Sequence, residues 1–402
     1  MTSTDDTRFE KLNVDRHIRV INFGSRMLGC RLLDPNPVKV KKMDVLLRAF
    51  VMGGMSYVLI PGLMAMAEFI DDLSYVAEIG SNVLGVVESV CFLGNSYYQE
   101  SKCRHLVQKI YREFWSSPLP PELLEHVQSF ERISIGIGLY VFTVSILALT
   151  FYSSIPPIFH NFDLYGDINA MRRTPLIGKY FYDQRVSPNY EITYACQILG
   201  SFLTVTSYVI LTSIYAFICM HLCAKLRLLQ VRLSNIDAST SNEEFAEIVR
   251  EHQYLIRYTD ELEDIYSPVI LIHFVLSTGL ICLGVVKVTG LPVQAGVMEL
   301  VLFIMYFAAS FFQIFVFCWM AHEVFVKSDD LARAIYDSRW YEASRHLQRG
   351  VLLILLRTQK PNVLTAGKFF PVTMSSFGLQ YGCFLLHASN VNPIDCKNAN
   401  ER

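Results

Sequence analysis

The chain has 402 residues, of which 52 % are hydrophobic and only 18 % charged, and its mean hydropathy is +0.32. Soluble domains carry about 45–50 % apolar and about 25 % charged residues, so this balance points to a membrane protein rather than to two or three soluble domains. The 35 basic and 37 acidic residues leave a net charge of −2, which provides no positive groove for phosphate backbones and argues against nucleic-acid binding.

The first 44 residues are polar and mixed in charge, without the apolar core and cleavage site of a secretory signal, so insertion is expected to use an internal segment. A helix needs about 20 mostly apolar residues to cross a bilayer core. Seven stretches answer that description. The first four cover 46–69, 79–98, 133–159 and 192–222, and after a long polar gap come 267–286 and 297–326. The seventh is broken into 351–356 and 369–387 by RTQKPNVLTAGK, where Pro361 and Gly367 stop a continuous helix. The spacing of Leu226, Leu229, Leu233, Phe245, Ile248, Leu255 and Leu262 predicts that spans four and five run on as helices beyond the membrane. Leu331, Ile335, Trp340 and Leu347 predict the same after span six. Apolar stripes outside a membrane must be buried against something, which predicts a cytoplasmic helical layer packing within and between subunits, a solvated connector being the alternative.

Lys and Arg outside the spans number about 25 on the amino-terminal side and about 7 on the other, which places the amino terminus in the cytoplasm. Seven spans then put the carboxyl terminus outside, the reverse of a G-protein-coupled receptor. Glu131-Arg132 and Asn392-Pro393 are therefore read as coincidences.

Little in the chain suggests catalysis. Walker, HExxH, GxSxG and GxGxxG patterns are missing, and Gly136-Ile137-Gly138 lies within a span, without the strand-turn-helix setting of a phosphate loop. The expectation is a protein that is not an enzyme and has no cofactor. The ten cysteines lack paired spacing and read as packed thiols. Cys219, His221 and Cys223 form a CxHxC cluster, but one helical turn points them in different directions, and zinc sites draw on paired ligand spacings. A transporter is disfavoured because only the last span is interrupted. Glu88 and His273 are the clearest ionisable residues within spans, where charge is costly and often functional. Glu88 is expected to face the bundle interior, to be protonated or to pair with a polar neighbour, as a gating or ligand-coupling group or as a structural carboxyl. His273 reads as a satisfied core histidine.

The run 338–370, SRWYEASRHLQRGVLLILLRTQKPNVLTAGKFF, resembles the carboxyl-terminal signature of insect odorant receptors. The matching positions are Trp340, Leu352, Leu353, Arg357, Gln359, Lys360, Pro361, Ala366, Gly367, Phe369 and Phe370. NYEITYACQ, with Tyr190, Tyr194 and Gln197, adds weaker support. The resemblance implies an all-α membrane protein with seven transmembrane helices, and an odour-gated, non-selective cation channel of four subunits. A ligand-tuning subunit such as this would assemble with an olfactory co-receptor subunit in the dendritic plasma membrane of olfactory neurons, among membrane lipid and without an obligatory G protein. A gustatory-receptor-like cation channel of the same superfamily is the alternative.

The implied plan is a cytoplasmic amino terminus (1–45), a ligand-binding bundle of four helices (46–222), a cytoplasmic anchor (223–266), helices five and six (267–326), more anchor with the first half of helix seven (327–368), a pore-lining half (369–387) and an extracellular tail (388–402). Subunit contact would use Trp340, Leu352, Leu353, Arg357, Gln359 and Pro361. After Phe377 the chain reaches Leu385-Leu386 about a turn earlier than the family pattern, and the implied pore or gate residues are Gln380, Leu385, Leu386 and His387.

A small volatile ligand would be held mainly by removing apolar surface from water, at about 25 cal/mol per Å², in an apolar pocket with one or two polar groups. Ser145, Leu149 and Tyr152 share one face of span three. Phe303, Tyr306, Phe307 and Ser310 do so in span six, Gln197 and Ser201 lie one turn apart in span four, and span two offers Asn82. The same residue types also serve helix packing in membranes. With 27 Phe and 21 Tyr, an aromatic odorant has partners for offset stacking.

Overall fold

The computed structural model describes residues 22–31, 42–110, 121–161, 174–290, 297–379 and 382. After a short helix α1 (22–27) come α2 (Lys42–Glu68), α3 (Leu73–Tyr98), α4 (Glu100–Lys109), α5 (Pro121–Asn161), α6 (Asn189–Ser234), α7 (Asn242–Gly290), α8 (Val297–Tyr336) and α9 (Arg345–Thr358). Strands β1 (Thr365–Ala366) and β2 (Phe370–Pro371) form a small antiparallel hairpin, followed by helix α10 (374–379). Among the described residues, five helices are long and apolar enough to cross a membrane, lying in α2, α3, α5, α6 and α7. Their outward faces are greasy. Leu46, Phe50 and Ile60 of α2 and Leu139, Phe142 and Leu147 of α5 are all exposed, an arrangement that water penalises and hydrocarbon does not.

Helices α6 and α7 run for 46 and 49 residues, past their apolar spans, and the seven apolar side chains that predicted this extension are all buried. The helices part at 235–241, where Ser241 Oγ accepts from the Glu244 N–H at 3.1 Å and caps α7. Spans consecutive in the chain alternate in direction, so the bundle has one end where α6, α7 and α8 are prolonged and an opposite, loop end. The segment 22–31 docks at the prolonged end. There the Glu100 carboxylate accepts from the Arg31 N–H at 2.8 Å and from the Arg48 and Arg104 guanidiniums at 2.6 and 3.1 Å.

At the α2–α6 crossing Gly54 and Gly200 face each other so closely that a Cβ on Gly200 would stand 2.5 Å from Gly54 O. Side-chain-free positions let membrane helices approach to backbone contact. Inside α7, Pro268 has no N–H, which leaves the Asp264 carbonyl without its helical donor. Gln99 Nε2, at the junction of α3 and α4, supplies one at 3.2 Å, and Asn95 Nδ2 of α3 reaches the next carbonyl, Ile265 O, at 3.0 Å.

The β1–β2 hairpin rests on this same stretch of α7. Gly367 N donates to Ser267 O at 2.9 Å and Lys368 N to Ser267 Oγ at 3.1 Å. Gly367 and Lys368 have φ of 59° and 62°, the pair of positive values that a type I′ turn requires. A Cβ at 367 would also meet Leu271 Cδ2 at 2.4 Å. The last helix therefore starts later than its sequence suggests, at residue 374 rather than at Phe369. Phe369 is spent in closing the turn, donating its N–H to Ala366 O at 3.0 Å, and Thr373 Oγ1 accepts from the Ser376 N–H at 3.3 Å as the cap of α10.

In the polar extension of α7, His252 is 5 % exposed. Burial, reinforced by the nearby Arg357 guanidinium, pushes its imidazole down to about 4 from an ordinary 6.5. The folded chain thus keeps His252 neutral while the unfolded chain takes up a proton below 6.5, so this stability is fully present above pH 6.5 and is lost as pH falls from there towards 4. Acidification from pH 7 to 5 is expected to cost on the order of 2 kcal/mol at this site. The shift in melting temperature between those two pH values, measured in detergent, should shrink in His252→Asn.

Candidate functional site

At the loop end, the segment 174–188 is bound across α2 and α6. Gln197 clamps it with both ends of its amide: Oε1 accepts from the Leu176 N–H, and Nε2 donates to Leu176 O, each at 3.0 Å. The same Nε2 lies 2.9 Å from the Tyr180 hydroxyl. Tyr182 bridges Tyr57 of α2 and Thr193 of α6 through hydroxyl contacts of 2.7 Å each. Tyr194 donates to Ser153 O and ties α6 to α5.

Below this strap lie the positions expected to meet ligand. Gln197 is buried, and its amide is committed to the strap. Asn82 is half-buried and donates to Glu78 O within its own helix at 3.2 Å. Ser145 and Leu149 on α5 and Ser201 on α6 are half-buried. Helix α5 packs on α6, α6 on α8, and α5 more lightly on α8, so these three helices do come together. Tyr140 and Phe312 meet across the α5–α8 contact at 4.4 Å. The side chains of Tyr152, Phe303, Tyr306, Phe307 and Ser310 lie outside the described residues, although α5 and α8 carry their backbone.

Deeper in the bundle is a polar node that the sequence suggests only in part. His273 Nδ1 of α7 is hydrogen-bonded to Glu88 Oε1 of α3, and Gln313 Nε2 of α8 donates to the same oxygen at 2.9 Å. Glu88 is 6 % and His273 3 % exposed. With the proton on Nδ1 the imidazole is a donor to the carboxylate, which meets the requirement that buried charge be hydrogen-bonded. Glu88, His273, Phe92 and Phe317 border a cavity of about 10 Å³, about room for one water.

Toward the prolonged end the node rests on an aromatic layer. Phe317 stacks on Tyr215 at 4.7 Å, Phe92 meets Phe317 at 5.8 Å, and Tyr215 meets Tyr266 at 4.9 Å. Such rings bury large apolar area and fix their neighbours geometrically. The bundle is thus sealed below the node and strapped above it.

The expected interface residues divide by location. Leu352 and Leu353 are exposed on α9, whose other face buries Leu347, Val351 and Ile354. Arg357 donates to Lys360 O at 2.6 Å, Gln359 is exposed, and Pro361 and Trp340 are half-buried. The expected gate residues Gln380, Leu385, Leu386 and His387 lie outside the described residues. Among the described residues no three His, Cys, Asp or Glu side chains are grouped to hold a metal.

An all-helical, multi-span membrane bundle with a polar node enclosed between its helices is the class this architecture defines. A family model described as 7tm Odorant receptor matches residues 86–379, and the chain belongs to the insect odorant receptor family, whose members are receptors and not enzymes. It is similar to Odorant receptor 10 of Aedes albopictus, 29 % identical over 198 residues, 48 % of this chain and 52 % of that one. Odorant receptor Or2 of Anopheles gambiae is 25 % identical over 207 residues, 48 % and 54 % of the two chains. The chain spans about half the length of those two relatives. Odorant receptor 9a of Drosophila melanogaster is 23 % identical over 373 residues, 90 % of this chain and 92 % of that one. The fold matches the insect olfactory receptor OR5 from Machilis hrabei with a TM-score of 0.80 at 16 % identity, covering 94 % of this chain and 98 % of that one. The same receptor in complex with eugenol matches at a TM-score of 0.79.

Proposed function

We propose that this odorant receptor is the ligand-tuning subunit of an odour-gated, non-selective cation channel, which binds small apolar or aromatic volatiles and works as a heterotetramer with an olfactory co-receptor in the dendritic plasma membrane. In this reading there are seven spans: α2, α3, α5, α6, α7, α8 and the final helix that begins with α10. The prolonged end is the cytoplasmic anchor, with the amino terminus on that side and the carboxyl terminus outside. The plan keeps the units 1–45, 46–222, 223–266, 267–326, 327–368, 369–387 and 388–402, the pore-lining helix itself starting at 374.

The observation that carries the reading is the family match across residues 86–379. The alternating helix directions, the concentration of Lys and Arg on the prolonged side and the binding of eugenol by a receptor of the same fold support it. Odorant would occupy the space among α3, α5, α6 and α8, between the strap and the polar node. By binding the open arrangement better than the closed one, it would displace α8 and move the adjoining last helix.

Whole-cell recording tests this with the chain expressed alone and with the co-receptor, against eugenol and a panel of aromatic and aliphatic volatiles. A fast cation current that needs both chains and no G protein is expected; surface expression of both chains with silence across the panel would count against it. Tyr306→Ala should shift the agonist concentration for half-maximal current by about tenfold, the worth of one lost side-chain contact of about 1.4 kcal/mol, with assembly intact. An unchanged dose–response would remove Tyr306 from the site.

A further inference from the structure

Glu88, His273 and Gln313 sit where two packed groups of helices meet. Helix α3 packs closely along α7, and α8 along α6, while α7 and α8 touch less and α3 and α8 hardly meet at the backbone. The 2.9 Å hydrogen bond from Gln313 Nε2 to Glu88 Oε1 therefore joins α8 directly to α3, a helix it otherwise hardly touches, although α6 packs on both α3 and α7. Glu88 is anchored on its own side of the seam by His273. Gln313 comes from the other side, on α8, which packs along α6.

We propose that the Gln313–Glu88 hydrogen bond is a resting-state tether of α8 to the α3/α7 pair, and that odorant opens the channel by parting it. The inference rests on the odour-gated channel reading. Hydrogen bonds within membrane bundles are individually modest, but this one ends on a buried carboxylate, and charge-assisted bonds are among the strong ones. Parting it leaves the carboxylate with His273 alone and strands a carboxamide, so the closed arrangement is favoured until something else offsets the loss. The residues expected to touch odorant on α8 are well placed to do so: Tyr306 is two helical turns from Gln313 on the same helix, about 10 Å away at 1.5 Å per residue. A ligand that pushes on α8 there acts directly on the tether.

A purely structural hydrogen bond and a tether differ in what happens without odorant. Gln313→Met keeps the length of the side chain and removes its donors, a volume-conserving change that membrane packing tolerates. Recorded with the co-receptor and normalised to surface protein, it is expected to raise ligand-free current about tenfold, the equivalent of one charge-assisted hydrogen bond. It should also lower the volatile concentration needed for half-maximal response. Gln313→Asn, whose amide is one carbon too short to reach Glu88, should do the same and serves as the reading if the methionine variant does not reach the surface. Ligand-free current and dose–response both unchanged in a surface-expressed variant, while the unmodified chain answers the panel, would overturn the tether and leave the channel reading standing. No evoked current from the unmodified chain at the surface would overturn both.

Discussion

Replacing Glu88 by leucine, or His273 by phenylalanine, is expected to destabilise the receptor by about 3–5 kcal/mol, because each change strands the other half of a buried hydrogen-bonded pair. In Glu88→Leu, the His273 donor and the Gln313 amide both lose their acceptor, since both end on Glu88 Oε1. In His273→Phe the ring contact with Phe317, now 5.0 Å between centroids, is kept, so the loss isolates the polar interaction from packing. Replacing the whole set, Glu88→Leu with His273→Phe and Gln313→Leu, should recover most of the stability, since a well-packed apolar substitute for a buried ion pair is often neutral or better. The check is the apparent melting temperature of purified protein in detergent across the single and triple variants. If Glu88→Leu melts with the unmodified chain, the carboxylate is not held as described. If the triple variant melts as low as the singles, the node contributes more than the pairing of its own polar groups. A triple variant that is stable but conducts without odorant would separate the node's role in folding from the gating role proposed for it.

What the sequence shows of this molecule is what lies along one helix at a time. Apolar runs of 20 residues or more mark the spans, and the leucine spacing in 226–262 marks helices continuing past them, because both signals need only a period and a length. Pro361 and Gly367 likewise show that the last span is interrupted. They do not show that Phe369 and Phe370 belong to a turn and a strand, since two-residue strands carry no periodicity. Glu88 and His273 each stand out as ionisable residues in apolar surroundings, yet they are 185 residues apart and nothing in either neighbourhood names the other. Gln313, within FFQIFVF, is uncharged and is hidden by the hydropathy of its neighbours; a polar amide in so apolar a run is the signal that could have found it. Gln197 stands out in the sequence as a pocket candidate on span four, but its partners in the structure come from 174–188, a loop whose path no helical period can predict. On α9 the burial of Leu347, Val351 and Ile354 and the exposure of Leu352, Leu353 and Leu356 follow from helical spacing alone. That the exposed leucines meet another subunit is implied by the resemblance and not by the spacing.

Alanine at Gly200 should be markedly more damaging than alanine at Gly54, although the two glycines face each other and both substitutions would favour an isolated helix by about 1 kcal/mol. A Cβ on Gly200 would lie 2.5 Å from Gly54 O and 2.6 Å from Val58 Cγ2. The first of these is backbone, which cannot turn aside, so α2 and α6 must separate along their whole crossing. A Cβ on Gly54 would meet only Leu203 Cδ1 at 2.6 Å, the end of a flexible side chain that can change rotamer. We expect Gly200→Ala to cost about 3 kcal/mol, at the upper end of overpacking penalties, and Gly54→Ala about 1 kcal/mol or less. Separation at this crossing also moves the part of α6 that bears Gln197 and Thr193, loosening the strap that Tyr57 of α2 and the 174–188 segment complete. Gly200→Ala should therefore show a lower melting temperature and faster protease cleavage within 174–188, with Gly54→Ala close to the unmodified chain in both. Equal behaviour of the two variants would mean that side chains, and not the backbone of α2, set the distance between these helices.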